Sequence, residues 1–198
     1  MILYLHGFRS SPQSFKSRLL AQTLSDQGCA SEREWQCPQL PASPKEALAL
    51  AMSLAHMQLA SAASPRELTI IGSSLGGYYA LWLAEQLNCK AIMLNPAVEA
   101  PRSLAKHVGN HRQFHSDAPF EFRAEYVDEL SAAYVPTITH PERYFLVAAT
   151  GDEVLDWREM SSRFAGCRQR IIQGSDHGLS DFADWLPEVL DFAQTNTP

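Results

Sequence analysis

Residues 68–79 read Leu68-Thr69-Ile70-Ile71-Gly72-Ser73-Ser74-Leu75-Gly76-Gly77-Tyr78-Tyr79. The aliphatic run suits a buried strand, the glycines a tight turn, and the apolar residues from Tyr78 to Leu87 a helix. A G-x-S-x-G turn thus joins a strand to a helix, with Ser74 at its centre. A serine nucleophile must project its hydroxyl from a sharp turn at the top of a sheet. Glycines two positions to either side let the strand and helix backbones crowd around it. The N-terminus of the next helix turns free N–H groups and the positive end of its dipole towards any oxyanion forming there. Two phosphate-binding readings fail on the same residues. A Walker-type loop needs Lys and then Ser or Thr after its last glycine, where Tyr78 and Tyr79 stand. A dinucleotide turn needs G-x-G-x-x-G, whereas Ser73 and Ser74 follow Gly72.

Around this turn the chain alternates strands with helices. Strands are expected at Ile2–Leu5, weakly at Ala30–Cys37, then at Leu68–Ile71, Ala91–Leu94, Tyr144–Ala149 and Gln169–Ile172. Phe15, Leu19, Leu20 and Leu24 recur at helical spacing before Gly28, and Ser43-Pro44-Lys45-Glu46 opens an alanine-rich helix running to about Ala62. Short apolar strands separated by crossover helices imply a parallel sheet covered on both faces. One interval breaks the rhythm. Residues 97–141 carry no clear strand but hold Phe114, Phe120, Phe122, Tyr126 and Tyr134 among charges, which reads as a lid-like insertion of short helices in a single domain spanning 1–198.

Serine at neutral pH is a weak nucleophile, so Ser74 needs a base and a group to orient that base. Asp152 follows the strand ending at Ala149 through Thr150 and Gly151, and His177 lies in the loop past the last strand. That is the chain order Ser, Asp, His. Glu153, Asp156 and Asp176 are competing acids, the last too near His177 in sequence to orient its ring easily. His6 ends the first strand beside Gly7, which suits a loop organiser better than a base. The backbone N–H of Phe8 then joins that of Leu75 as an oxyanion hole.

Composition narrows the classes of function. The chain of 198 residues has 16 basic and 22 acidic residues and a formal net charge of −6, which removes the electrostatic footprint of a nucleic-acid binder and weakens any case for an anionic membrane. No apolar run approaches the ~18 residues that span a bilayer. The N-terminal residues show no basic and apolar leader pattern, and Cys29, Cys37, Cys89 and Cys167 form no C-x-x-C, so a cytoplasmic protein with reduced thiols is expected. The scaling of surface with mass gives roughly 9,300 Å² folded against roughly 32,000 Å² unfolded, enough burial for one sizeable core without metals or disulfides. His107, His111 and His115 at i, i+4 and i+8 would align on a helix, but Gly109-Asn110 interrupts it and no Cys or Glu completes a zinc spacing. No metal and no cofactor is therefore expected. Arg9, Lys16, Arg102 and Lys106 read as solvated surface charge or as holders of a carboxylate or phosphate near the mouth of the site.

The combination of Tyr4-Leu5-His6-Gly7-Phe8, Gly72-Ser73-Ser74-Leu75-Gly76-Gly77-Tyr78-Tyr79-Ala80, Asn95-Pro96-Ala97-Val98, Thr150-Gly151-Asp152-Glu153-Val154-Leu155-Asp156 and Asp176-His177 resembles the bacterial YqiA/YcfP-type esterases over essentially the whole chain. The resemblance implies a three-layer α/β-hydrolase fold of about six mostly parallel strands, without the first two strands of the full-length sheet. It implies a serine hydrolase of small carboxylic esters or acyl thioesters, with Ser74, Asp152 and His177 as triad. The alternative is a catalytically silent module of the same fold that binds a ligand or partner.

Overall fold

The computed structural model describes residues 1–29, 31–60 and 62–195. Six strands form the central sheet: β1 (Ile2–Leu5), β2 (Trp35–Gln36), β3 (Thr69–Ser73), β4 (Lys90–Leu94), β7 (Tyr144–Ala149) and β8 (Arg168–Ile172). Their spatial order is β2-β1-β3-β4-β7-β8, and every neighbouring pair is parallel. β1, β3, β4 and β7 are buried at every position, which explains why they read as continuous apolar runs. β2 is shorter than the expected Ala30–Cys37 strand, whose first residue lies outside the described ones.

Side-chain alternation sorts the helices into two layers. Leu3, Leu5, Ile70, Met93 and Leu146 point to one face, where they pack with α2 (Pro44–Leu59), α3 (Leu75–Leu87), α4 (Ala100–Leu104), α5 (Glu125–Ala132) and α6 (Trp157–Arg163). Ile2, Tyr4, Ile71, Ile92 and Val147 point to the other, under α1 (Phe15–Asp26) and α7 (Phe182–Gln194). α2 starts where its capping sequence predicts, with the Glu46 N–H donating to Ser43 Oγ at 3.2 Å, and ends at Leu59 rather than near Ala62. α3 begins at Leu75, three residues before Tyr78, because the turn at Ser74 passes directly into the helix.

The segment 97–141 corrects one expectation. Besides α4 and α5 it contains a hairpin in which β5 (Gly109–Arg112) pairs antiparallel with β6 (Pro119–Phe122). β5 reads Gly-Asn-His-Arg, with no β-branched or aromatic residue to announce a strand. What packs the hairpin is tertiary: the rings of Phe120 and Phe122 each meet Phe8 edge to face at 5.2 Å. The hairpin also dissolves the helical histidine row. His107 ends a 3-10 turn, His111 lies in β5 and His115 follows it in the hairpin turn. Among the described residues no helix is long and apolar enough to cross a membrane.

Candidate active site

Ser74 sits between β3 and α3 at φ 54°, ψ −118°, a conformation that L-residues with side chains rarely adopt. Close backbone crossings hold it there. A Cβ on Gly72 would collide with the Gly76 carbonyl, and one on Gly76 with the Leu5 carbonyl, so β1, β3 and α3 meet only because both positions are glycine. The turn after β1 lies against the serine: the position of a Gly7 Cβ is 3.2 Å from Ser74 Cβ and 3.7 Å from Ser74 Oγ.

Three parallel strands deliver three side chains to one place. Ser74 Oγ is 3.0 Å from His177 Nε2, and His177 Nδ1 is 2.7 Å from Asp152 Oδ2. The Asp152 side chain has no exposed surface, while that of His177 is 20 % exposed, so the pair meets solvent only through the imidazole. The second Asp152 oxygen accepts the N–H groups of Val154 and Leu155, both at 2.8 Å, which fixes the carboxylate plane. With a carboxylate at Nδ1, that nitrogen carries the proton and Nε2 is left to accept from the Ser74 hydroxyl.

The competing acids are engaged elsewhere. Glu153 Oε2 accepts the His177 backbone N–H at 3.0 Å, Asp156 caps α6 through the Arg158 N–H at 2.9 Å, and Asp176 Oδ1 accepts the Ser180 N–H at 3.0 Å. His6 is 3 % exposed; its Nδ1 donates to the Gly7 carbonyl and its Nε2 accepts the Leu40 N–H, both at 3.0 Å. It therefore ties the turn after β1 to the loop before α2, and burial holds its pKa below the ordinary value. The Phe8 and Leu75 N–H groups have no partner among the described residues; Leu75 follows Ser74 in the chain, and Phe8 lines the same cavity as Ser74.

Sequence reasoning missed one member of the site. Asn95, fully buried after β4 at φ 43°, donates from Nδ2 to the carbonyls of Asp176 (3.0 Å) and His177 (3.1 Å). Its Oδ1 accepts the Ala149 N–H at 2.9 Å. One side chain thus joins the ends of β4 and β7 to the histidine loop. The sequence marked it only as the first residue of the Asn95-Pro96-Ala97-Val98 motif after a buried strand, with no role attached.

A cavity of about 300 Å³ opens beside Ser74 and His177, walled by Tyr4, Phe8, Phe15, Lys16 and Phe114. Of the four cations read as possible anion holders, Lys16 lines it. Arg9 instead donates from Nε to the Arg112 carbonyl at 2.7 Å and lays its guanidinium over Phe114 at 4.5 Å. Arg102 pairs with Glu159 at 2.6 Å on the surface, and Lys106 is not among the lining residues.

Comparison with known proteins places this geometry in context. The profile of an uncharacterised protein family, UPF0227, matches residues 1–194. Among solved structures, a metagenome-derived lipolytic enzyme of the LipS and LipT pair superposes with TM-score 0.69 at 16 % identity, over 97 % of this chain and 92 % of that one. Est1E from Butyrivibrio proteoclasticus, in a complex with ferulic acid, gives TM-score 0.65 at 15 % identity, over 96 % of this chain and 85 % of the other. The esterase domain of a Rhodothermus marinus protein gives 0.62 at 21 % identity, over 96 % and 83 %. At these identities the likeness establishes a shared fold, the α/β-hydrolase fold.

Proposed function

From the premise that the chain belongs to the UPF0227 family, we propose that it is a serine hydrolase of small carboxylic esters or acyl thioesters, working through an acyl-enzyme and without a metal or cofactor. The observation that carries the reading is the continuous chain from Asp152 Oδ2 through His177 to Ser74 Oγ, at 2.7 and 3.0 Å. Proteins of the same fold that are lipolytic enzymes or esterases support it. The protein acts as one cytoplasmic domain, with 97–141 folded over the site as its lid.

In the first half-reaction Ser74 Oγ attacks the carbonyl carbon while His177 Nε2 takes the hydroxyl proton. Asp152 stabilises the imidazolium by accepting from Nδ1–H. The carbonyl oxygen, now negative, receives the N–H groups of Phe8 and Leu75, where the positive end of α3 adds to the field. Collapse breaks the bond to the leaving oxygen or sulfur, which departs with the proton from His177. Water then gives a proton to His177 and attacks the acyl carbon, and the second collapse returns that proton to Ser74 and frees the acid. Desolvation favours the reaction, because the Asp152 carboxylate is wholly buried and its charge is not screened by water.

Turnover of a 4-nitrophenyl ester of a short acid tests this. Ser74→Ala is expected to reduce kcat by about 10⁴-fold or more, the size of loss seen when a nucleophile working in a triad is removed. Activity retained in that variant would remove Ser74 from the mechanism.

A further inference from the structure

Lys16 is buried where a lysine is costly. It is 8 % exposed, lies in the first turn of α1 and lines the cavity beside Ser74. Its Nζ donates to the carbonyl of Gly178, the residue after His177, and no second acceptor meets it among the described residues. An ammonium has three N–H groups, so two are left without a protein acceptor at the wall of a cavity. Burial lowers the Lys16 pKa to about 8, with Asp176 and Asp152 acting to raise it. A buried charge is expensive unless it is paired, and the missing pairing partner is an anion.

The helix that carries Lys16 points the same way. The amides of Phe15, Lys16 and Ser17 have no partner among the described residues; the first to find one is Arg18, which donates to the Ser14 carbonyl at 3.0 Å. Ser14 makes no side-chain cap, and the first turn holds no acidic residue. Ser14, Phe15 and Lys16 all line the cavity. Free amides, a helix dipole and a buried ammonium thus belong to the wall of the same cavity that Ser74 lines.

We propose that the cavity takes an ester or thioester bearing a second, anionic group, a carboxylate or phosphate, held by Lys16 and the N-terminus of α1 while the scissile carbonyl lies at Ser74. This specificity rests on the serine-hydrolase reading above. A cavity of about 300 Å³ is at the small end for ligand sites, so the two groups are separated by only a few bonds.

Two substrate pairs test it on the full chain. The 4-nitrophenyl monoester of glutaric acid against the 4-nitrophenyl ester of pentanoic acid places the charge on the acyl side. The acetate ester of 2-hydroxyethyl phosphate against the acetate ester of 2-methoxyethanol places it on the alcohol side. In one pair the charged ester is expected to have a kcat/KM about 10- to 100-fold above its neutral counterpart, the worth of a charge-assisted contact. Lys16→Met and Lys16→Gln bring that ratio towards one; two variants are used so that one failing to fold leaves the other. Equal kcat/KM within both pairs overturns the proposal. So does a ratio that survives in the Lys16 variants while both esters slow together, since the lysine then only pins the Gly178 turn. Absence of Ser74-dependent turnover of all four esters is a different result, and overturns the hydrolase reading itself.

Discussion

Ser74 carries a backbone conformation that costs on the order of 1–3 kcal/mol, and its neighbours over-determine it through the glycine crossings at positions 72 and 76. His6 contributes to the same scaffold as a neutral ring, donating at Nδ1 and accepting at Nε2. Its folded pKa lies below the ordinary 6.5 because burial disfavours the imidazolium. The unfolded chain therefore binds a proton that the folded chain refuses, so stability is present above the unfolded value and is lost as pH falls below it. Urea unfolding at pH 7 and pH 5.5 is expected to show the parent losing more stability than His6→Gln, whose amide oxygen still accepts the Leu40 N–H. Equal losses in the two proteins would mean that His6 is not held neutral. Much at this scale was legible. G-x-S-x-G names Ser74 because its glycines answer a local steric demand, and the residues past the ends of two strands named Asp152 and His177. The bonds Asn95 makes and the burial of Lys16 were not legible, because their partners come from segments about 50 to 160 residues away.

Elements were readable where periodicity was local. β1, β3, β4 and β7 announce themselves as apolar runs because both faces are covered. The β5–β6 hairpin does not, since its order derives from Phe8, a residue on another loop. α7 was also unread: Pro187 stands inside it, and an internal proline argues against a helix. The apolar stripe of Phe182, Leu186, Val189, Leu190 and Ala193, all buried, outweighs the lost hydrogen bond. The end of α7 is closed by a residue from the sheet. Lys90 Nζ donates to the carbonyls of Phe192, Ala193 and Thr195 at 3.0, 2.7 and 2.8 Å, a charged C-cap that also complements the helix dipole. Lys90→Met fills the same space and donates nothing. It should lower stability by about 3 kcal/mol, the scale of buried acceptors left unmade. A change below about 0.5 kcal/mol in the urea midpoint analysis would show that water satisfies those carbonyls instead.

At the scale of the molecule, a parallel sheet gathers the C-terminal ends of its strands at one edge, and that edge is where ligands bind in open α/β folds. The ends of β1, β3, β4, β7 and β8 lead to His6, Ser74, Asn95, Asp152 and His177 in turn. The accessible surface of 9013 Å² is close to the roughly 9,300 Å² that mass alone implies, in keeping with one packed core on each face of the sheet. The central claim is that this architecture activates one particular serine out of two adjacent ones. An alkyl fluorophosphonate reacts with an activated serine to form a stable adduct, and peptide mapping by mass spectrometry locates it. A single adduct on Ser74, forming at least about 10³-fold more slowly in His177→Ala, is the expected result. An adduct on Ser73, or a labelling rate indifferent to His177, would contradict it.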